Sequence, residues 1–271
     1  MQNTFLFAAT AALILSTSTL AVGAEAKKFN GLVDLGYNYT SIDPNNSPNN
    51  INVNQLHFGG SGLWTWPGNW NAQANLNFTT DRASQGSSDA ALDTWKLGGG
   101  VFYRDKAEGL LGGEIHYQSL DALGYADGIS ITGRGEAFLS DANVGGYLGY
   151  SNFSANSVNL DTHGWSMGAY GKYFTDPHLG FKVGLDYATY KVSNADLNDV
   201  SLNGEAEYLL PDCNTSVYAG LGFGSMDLGT PEADYWRLGL GLRVHLGTGG
   251  SLLERNRNEP LANVPNLRVV D

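Results

Sequence analysis

The sequence has little cysteine, few basic residues and no long apolar run beyond its first residues, and each shortage excludes a class of protein. Cys213 is the only cysteine, so no internal disulfide can form. The 15 Lys and Arg residues are outnumbered by 27 Asp and Glu residues, giving a net charge of −12. This balance argues against nucleic-acid binding, which needs basic patches. Without a run of about 18 apolar residues, the rest of the chain offers no transmembrane helix.

The arrangements of common catalytic and metal sites are also missing. The sequence contains no pair of cysteines and no His-x-x-x-His motif. The Gly-x-Ser-x-Gly spacing occurs at residues 164–168, but it lies within a predicted strand with no helix after it, so it does not form a nucleophile elbow. Its acidic loops do not follow the spacing of a calcium site. We therefore predict no catalytic residues, no metal site and no cofactor.

Residues 1–24 have the features of a secretory signal peptide. An apolar stretch ends at Leu20, and small residues follow at Val22, Gly23 and Ala24. Small residues at this spacing after an apolar region are typical of a cleavage site. We predict export through a cleaved signal peptide, with a buried or anchoring helix as the alternative.

From about residue 29 to residue 246, apolar and polar residues alternate. The clearest segment is WNAQANLNF at residues 70–78, where each even position is apolar and each odd position is Asn or Gln. Successive side chains of a strand point to opposite sides, so this pattern predicts strands with one apolar face. Such segments recur near residues 32–40, 54–65, 70–78, 93–104, 109–119, 129–139, 143–153, 165–174, 179–190, 200–209, 215–224 and 234–246.

The connections between these segments alternate in length. Short ones, rich in Pro, Gly, Asp and Asn as tight turns require, lie near 66–69, 104–108, 140–143, 175–178 and 211–214. Longer ones lie near 41–51, 81–92, 120–128, 154–163, 191–199 and 227–233. The pattern predicts an all-β fold, a transmembrane antiparallel up-and-down β-barrel of about 12 strands.

The last predicted strand carries the most specific motif. Residues 237–244, RLGLGLRV, resemble the terminal-strand signal that the barrel assembly machinery reads. Together with the strand pattern, this makes the chain similar to the outer-membrane β-barrel proteins of Gram-negative proteobacteria, broadly the porin-like group. The resemblance implies localisation in the cell outer membrane, with long extracellular loops and short periplasmic turns. It also implies contact with outer-membrane lipid and lipopolysaccharide, and insertion by the barrel assembly machinery.

The chain therefore divides into a signal peptide at 1–24, a barrel at 25–246 and a C-terminal extension at 247–271. The extension lacks strand alternation. An even number of strands puts both chain ends on the short-turn side, so we expect the extension to be periplasmic and flexible. Contact with the cell wall or entry into the barrel mouth are the alternatives.

Two groups of residues are candidates for specific positions. Polar residues opposite the apolar faces are candidates for lining the lumen: Lys96, Glu114, His116, Arg134, Glu136, Lys172, Lys182, Asp186, Glu205, Glu207, Arg237 and Arg243. Aromatic residues near strand ends suit the membrane–water interface: Tyr37, Trp64, Trp70, Trp95, Tyr103, Trp165, Tyr173, Tyr208 and Trp236.

A barrel of about twelve strands is intermediate between small barrels filled by side chains and wide porins. We predict a narrow passive channel for small hydrophilic solutes, in which acidic and basic residues create a transverse field that orients polar solutes. One alternative is a non-conducting structural or surface barrel with a salt-bridged lumen. The other is a barrel-embedded lipid hydrolase with a Ser–His pair, although the sequence favours a protein that is not an enzyme.

Overall fold

The structure, a computed structural model, describes residues 29–45, 47–121, 126–155, 160–192, 195–227, 232–247 and 250–261. The predicted signal peptide lies outside these residues. The strands are β1 Phe29–Pro44, β2 Ile51–Thr65, β3 Trp70–Gln85, β4 Ser88–Asp105, β5 Gly109–Asp121, β6 Ala126–Phe138, β7 Ala142–Ala155, β8 Leu160–Phe174, β9 Leu179–Val192, β10 Ala195–Leu209, β11 Thr215–Asp227 and β12 Glu232–His245. One short helix, α1 Leu252–Asn258, follows β12. In the described residues no helix is long and apolar enough to cross a membrane.

The twelve strands form a single closed, antiparallel barrel in which each strand pairs with its sequence neighbours. The ring is completed by β1 and β12, which pair from Leu32 opposite His245 to Pro44 opposite Ala233. Closure leaves no strand with unpaired backbone groups at an edge, a requirement inside hydrocarbon, where water cannot satisfy them. The predicted fold class is confirmed.

The strands are longer than the alternating segments predicted. They span 13 to 18 residues, and parts of the predicted loops are strand. The expected loop at 81–92 is the end of β3, a two-residue turn at 86–87 and the start of β4, with Gln85 paired to Ser88. Gly86 has a φ of 60°, which such a tight hairpin turn requires. Polar residues form these strand ends because a strand clear of the hydrocarbon needs no apolar face.

The outer surface of the barrel is apolar. Trp70 is 50% exposed, and Val183 and Leu240 are each 57% exposed, whereas a soluble β-sandwich would bury such residues in a shared centre. Large apolar side chains of this kind project from all twelve strands. A continuous exposed apolar surface around a whole protein suits lipid and not water, and we call this surface the apolar belt.

Aromatic residues lie at two levels of this surface. Trp95 and Tyr103 are eight residues apart on β4, and Trp165 and Tyr173 have the same spacing on β8. Eight residues of strand extend about 26 Å, or roughly 20 Å in height at the usual tilt of a barrel strand. Aromatic residues at the same level also contact each other across neighbouring strands. The ring centroids of Trp70 on β3 and Tyr103 on β4, for example, lie 5.7 Å apart. Of the nine predicted interface aromatics, Trp64 is half-buried and the other eight are exposed.

Candidate functional site

The interior of the barrel is polar and contains a cavity of about 380 Å³. Side chains such as Gln55, Asn77, Thr94 and Gln118 line it from successive strands. A second cavity, of about 90 Å³, lies nearer the short-turn end. The two cavities share five lining residues, which we call the neck: Leu32, Arg134, Lys182, Glu205 and Arg243.

One side of the neck is acidic. The Arg243 guanidinium donates to Asp34 at 2.9 Å, to Glu205 at 2.8 and 3.2 Å, and to Glu207 at 2.7 Å. The same guanidinium stacks over the Tyr218 ring, 4.1 Å from its centroid. One cation thus holds three carboxylates, and this cluster keeps a net negative charge. We call it the Arg243 cluster.

Asp34 also ties the Arg243 cluster to strand β2, through His57. Its Oδ1 lies 2.5 Å from His57 Nε2 and accepts from the Tyr218 hydroxyl at 3.0 Å. Asp34 is the direct ladder partner of Arg243 across the β1–β12 seam, so the ion pair also joins the first and last strands. The cluster therefore lines the lumen and strengthens barrel closure at the same place.

The other side of the neck is basic and is built around Tyr170. Three cations lie over its ring, with Arg134, Lys172 and Lys182 at 5.5, 5.3 and 5.5 Å from the centroid. The Tyr170 hydroxyl accepts from Arg134 at 3.2 Å and donates to Glu136 at 2.8 Å. Lys172 contacts the other oxygen of Glu136 at 3.4 Å. We call these five residues the Tyr170 cluster.

Residues 250–261 lie in the short-turn mouth of the barrel, and we call them the tail segment. Ser251 caps the start of helix α1, and its hydroxyl accepts from Glu254 N at 3.2 Å. At its start, Leu252 N donates to the Pro177 carbonyl in a β8–β9 turn at 2.8 Å. At its end, Leu261 packs into the barrel's inner wall. The sequence favoured a flexible extension and left entry into the mouth open, and the structure places these residues inside it.

The anchor of Leu261 is an apolar pocket in an otherwise polar lumen. It is formed by Phe102, Leu110 and Phe138, and all four side chains are buried. In a water-filled lumen these side chains would stand exposed, so their inward positions make sense only with an apolar partner. Gln73 completes the site, because its side-chain amide binds both backbone polar groups of Leu261.

Arginine side chains hold the rest of the tail segment. Arg104 of the wall donates to the carbonyl of Glu259 at 2.8 Å and to that of Arg257 at 3.2 Å. Arg257 in turn donates to Asn143 at 3.1 Å and to the Leu139 carbonyl. Partial burial lowers the pKa of the Arg257 guanidinium from its usual value, although a guanidinium remains charged at neutral pH.

A serine, a histidine and a glutamate meet at the base of the tail segment. Ser216 Oγ lies 3.0 Å from His245 Nε2, and His245 Nδ1 lies 2.6 Å from Glu259 Oε2. This order of contacts is that of a hydrolase triad. However, Ser216 is 0% exposed and its hydroxyl donates to Glu207, so it is neither reachable nor free to attack. We interpret the arrangement as an attachment of the tail segment to β11 and β12.

The structure places all twelve lumen candidates on the inner face of the wall, buried or half-buried. Seven of them contribute to the two clusters. Elsewhere, His116 lies 3.8 Å from Glu114, Asp186 accepts from Tyr147 at 2.8 Å, and Arg237 donates to Thr40 at 3.3 Å. Lys96 lines the larger cavity. In the part of the chain that the structure covers, no group of three metal-ligating residues occurs.

Sequence reasoning missed the two tyrosines at the centres of the clusters. Tyr170 has the same parity along β8 as Lys172, and Tyr218 has the opposite parity to the outward-facing Val217. Alternation was therefore the signal that could have found them. Glu259 was missed because nothing local in the extension shows which wall it meets.

Solved structures with the same fold are outer-membrane barrels. The COG4313 outer membrane channel from Pseudomonas putida F1 has a TM-score of 0.64 at 12% identity, over 84% of this chain and 98% of that chain. The β domain of the Bordetella autotransporter BrkA has a TM-score of 0.55 at 14% identity, over 80% and 99%. The translocator domain of the autotransporter NalP from Neisseria meningitidis has a TM-score of 0.52 at 13% identity, over 89% and 97%.

At these identities the likeness shows the fold alone. No family model and no curated protein matches the sequence. The likeness to Gram-negative outer-membrane barrels confirms the resemblance seen in the sequence, and the apolar belt agrees with localisation in the outer membrane. Because the similar structures include both a channel and translocator domains, the function must be argued from the lumen.

Proposed function

We propose that the chain is a narrow passive channel for small hydrophilic solutes. The observation that carries the proposal is the polar cavity of about 380 Å³ inside the barrel. An interior packed with apolar side chains would only hold strands together, whereas a polar cavity admits water and the solutes that water carries. The charged neck disfavours apolar solutes, because they would strip water from its ions without replacing the lost hydrogen bonds.

The tail segment closes the periplasmic end of this path, so we propose that transport requires it to move. It is held by two buried apolar side chains, Leu252 and Leu261, and by hydrogen bonds. These contribute about 1 kcal/mol each between neutral groups and about 1.5–3 kcal/mol where one group is charged. It is not part of the strand ladder, so its departure leaves every strand pairing intact. A barrel open at both ends would then have the neck as its narrowest charged point.

A second candidate function is a non-conducting barrel that serves as a structural or surface protein. The observation that favours it is the tail segment itself, together with the ion pairs of the Arg243 cluster. In this case both features would be permanent, and the cavity would be a closed vestibule. The lipid hydrolase is not supported, since Ser216 is buried and donates to Glu207.

The surroundings of the barrel belong to the same proposal. Outer-membrane lipid and lipopolysaccharide would cover the apolar belt, and the barrel assembly machinery would insert the chain. Heat-modifiable migration on a denaturing gel, with and without boiling, tests the barrel state before any functional measurement.

The decisive experiment is single-channel recording in planar bilayers with the folded, full-length mature chain. We expect discrete current steps that are linear in voltage, with most molecules closed at any moment. A matched sample that ends at Gly250 should give larger and longer openings. Silence from both samples, with normal heat-modifiability, would instead establish the non-conducting barrel.

A further inference from the structure

Lys182 and Glu205 face each other across the β9–β10 ladder, yet they do not form an ion pair. They are direct register partners, and both point inward. Opposite charges at such positions ordinarily pair. Here both oxygens of Glu205 accept from Arg243, at 2.8 and 3.2 Å, and the carboxylate is drawn towards β12.

The Lys182 ammonium is left facing the cavity. In the described part of the chain its ammonium makes no hydrogen bond and has no carboxylate within 4.0 Å, and it lies 5.5 Å from the centroid of the Tyr170 ring. Its side chain lines both cavities, so it stands at the neck itself. A charged group in this position attracts a counter-ion from the lumen, because the low-dielectric wall screens it less than bulk water would.

Arg134 lies near the same ring as Lys182. Its guanidinium carbon is also 5.5 Å from the Tyr170 centroid, and it too lines both cavities. With Lys172, three positive charges converge on one aromatic ring, and even with both Glu136 and the buried Glu114 counted, this side stays positive. An anion between Lys182 and Arg134 would relieve the repulsion between them.

The nearby carboxylates are already engaged elsewhere. Glu205 belongs to the Arg243 cluster, and Asp186, four residues along β9, accepts from Tyr147 and from Asn203, both at 2.8 Å. These acids lie on the same strand as Lys182 and on the strand next to it, and their oxygens already accept from other donors. The neck therefore offers the positive charge of Lys182 and Arg134 beside negative charge that is already bound.

We infer that Lys182 and Arg134 form a binding site at the neck for the anionic group of a small solute, a carboxylate or a phosphate. The inference rests on the proposed function and deepens it, since it makes the channel prefer anions despite the chain's net charge of −12. Both side chains are cationic, and the ammonium of Lys182 has N–H donors that suit the oxygens of either group.

The first test is the reversal potential in a KCl gradient, recorded for the wild type and for Lys182→Gln. We expect chloride to be preferred over potassium in the wild type, and the permeability ratio to fall by about threefold in the variant. Lys182→Arg should keep the preference, which shows that the charge matters and that the barrel tolerates substitution. Lys191→Gln, the same charge change at an exposed position of β9, is the matched control.

The second test measures binding without conduction. The ³⁵Cl linewidth of chloride with the detergent-solubilised barrel should exceed that of buffer, and acetate or inorganic phosphate should reduce the excess by competition. The stronger competitor identifies the preferred anionic group. Lys182→Gln should lose the excess linewidth and Lys191→Gln should retain it.

The outcomes separate the two proposals. Equal linewidths for Lys182→Gln and the wild type, or an unchanged permeability ratio, would overturn the anion site while leaving the channel intact. Anion binding at Lys182 in a barrel that never conducts would overturn the channel and leave the site standing.

Discussion

The side chain of Gln73 binds the backbone of Leu261 at both of its polar groups. Gln73 Nε2 donates to the Leu261 carbonyl at 2.9 Å, and Gln73 Oε1 accepts from Leu261 N at 2.8 Å. The Gln73 side chain thus satisfies both backbone groups of Leu261, as the backbone of a neighbouring strand would for one residue of a ladder. Because the contact uses the backbone of Leu261, its side chain is free to fill the pocket of Phe102, Leu110 and Phe138.

Replacing Leu261 with Asp should open the mouth. Removing a buried leucine forfeits about 2 kcal/mol of apolar burial, so the fraction of displaced tail segments should rise by roughly 30-fold or more. Single-channel open probability measures this directly. Leu261→Met, which keeps the volume and apolarity, should behave as the wild type. Identical recordings from the Asp and Met variants would show that the pocket does not hold the tail segment.

Glu259→Gln should loosen the tail segment without changing the barrel. The substitution removes a charged partner of His245 and Arg255, and hydrogen bonds to a charged group contribute about 1.5–3 kcal/mol. Hydrogen–deuterium exchange should speed up in residues 251–261 and stay unchanged in the strands. Glu254→Gln makes the same charge change at an exposed position and serves as the control. Equal protection in both variants would contradict the attachment role.

Arg243→Ala should destabilise the whole barrel. It leaves Asp34, Glu205 and Glu207 facing one another without their cation, and breaking a buried ion pair by removing one partner costs about 3–5 kcal/mol. Urea unfolding, followed by tryptophan fluorescence, measures the change in the free energy of unfolding. Arg243→Lys should fall between the two, since lysine keeps the charge and loses the fork of donors. If the urea midpoint of Arg243→Ala equals that of the wild type within error, the Arg243 cluster does not stabilise barrel closure.

Leu240→Arg tests where the membrane lies. Leu240 is four residues from both Trp236 and Val244 on the outer face, so it should sit near mid-bilayer, where arginine costs about 2–4 kcal/mol. Leu246→Arg, just beyond the end of β12, should cost at most about 1 kcal/mol. Unfolding in lipid vesicles compares the two. Equal costs at both positions would contradict the predicted depth of the belt.

Gly98→Ala probes the packing of the inner wall. A Cβ at Gly98 would lie 2.0 Å from His116 Cδ2, whereas one at Gly171 would meet nothing within 4 Å. Overpacking of this kind costs about 1–3 kcal/mol, so Gly98→Ala should lower the urea midpoint and Gly171→Ala should leave it nearly unchanged. If the two alanine variants unfold together, His116 does not occupy the position that the structure gives it.

The fold could be predicted from the sequence because a barrel wall has lipid on one side and water on the other, which requires apolar and polar residues to alternate along each strand. This alternation predicted the strands and which residues point inward, including Lys172 and Lys182. Apolar and polar residues stop alternating where a strand extends past the lipid. The end of β3 and the start of β4, within residues 81–92, were therefore predicted to be a loop. The sequence could not predict which side chains pair within the lumen. Glu205 could form an ion pair with either Lys182 or Arg243, and only the three-dimensional structure shows that it pairs with Arg243.

The pairing of β1 with β12 closes the ring between the two ends of the barrel sequence. The ring is incomplete until the last strand has been synthesised, delivered and joined to the first, a contact between the most distant parts of the barrel sequence. The binding surface for Leu261 draws on β3, β4, β5 and β6, while Glu259 needs His245 at the seam. We therefore expect the tail segment to dock fully only after the ring has closed, so that a newly closed barrel is open at its short-turn end until these last contacts form.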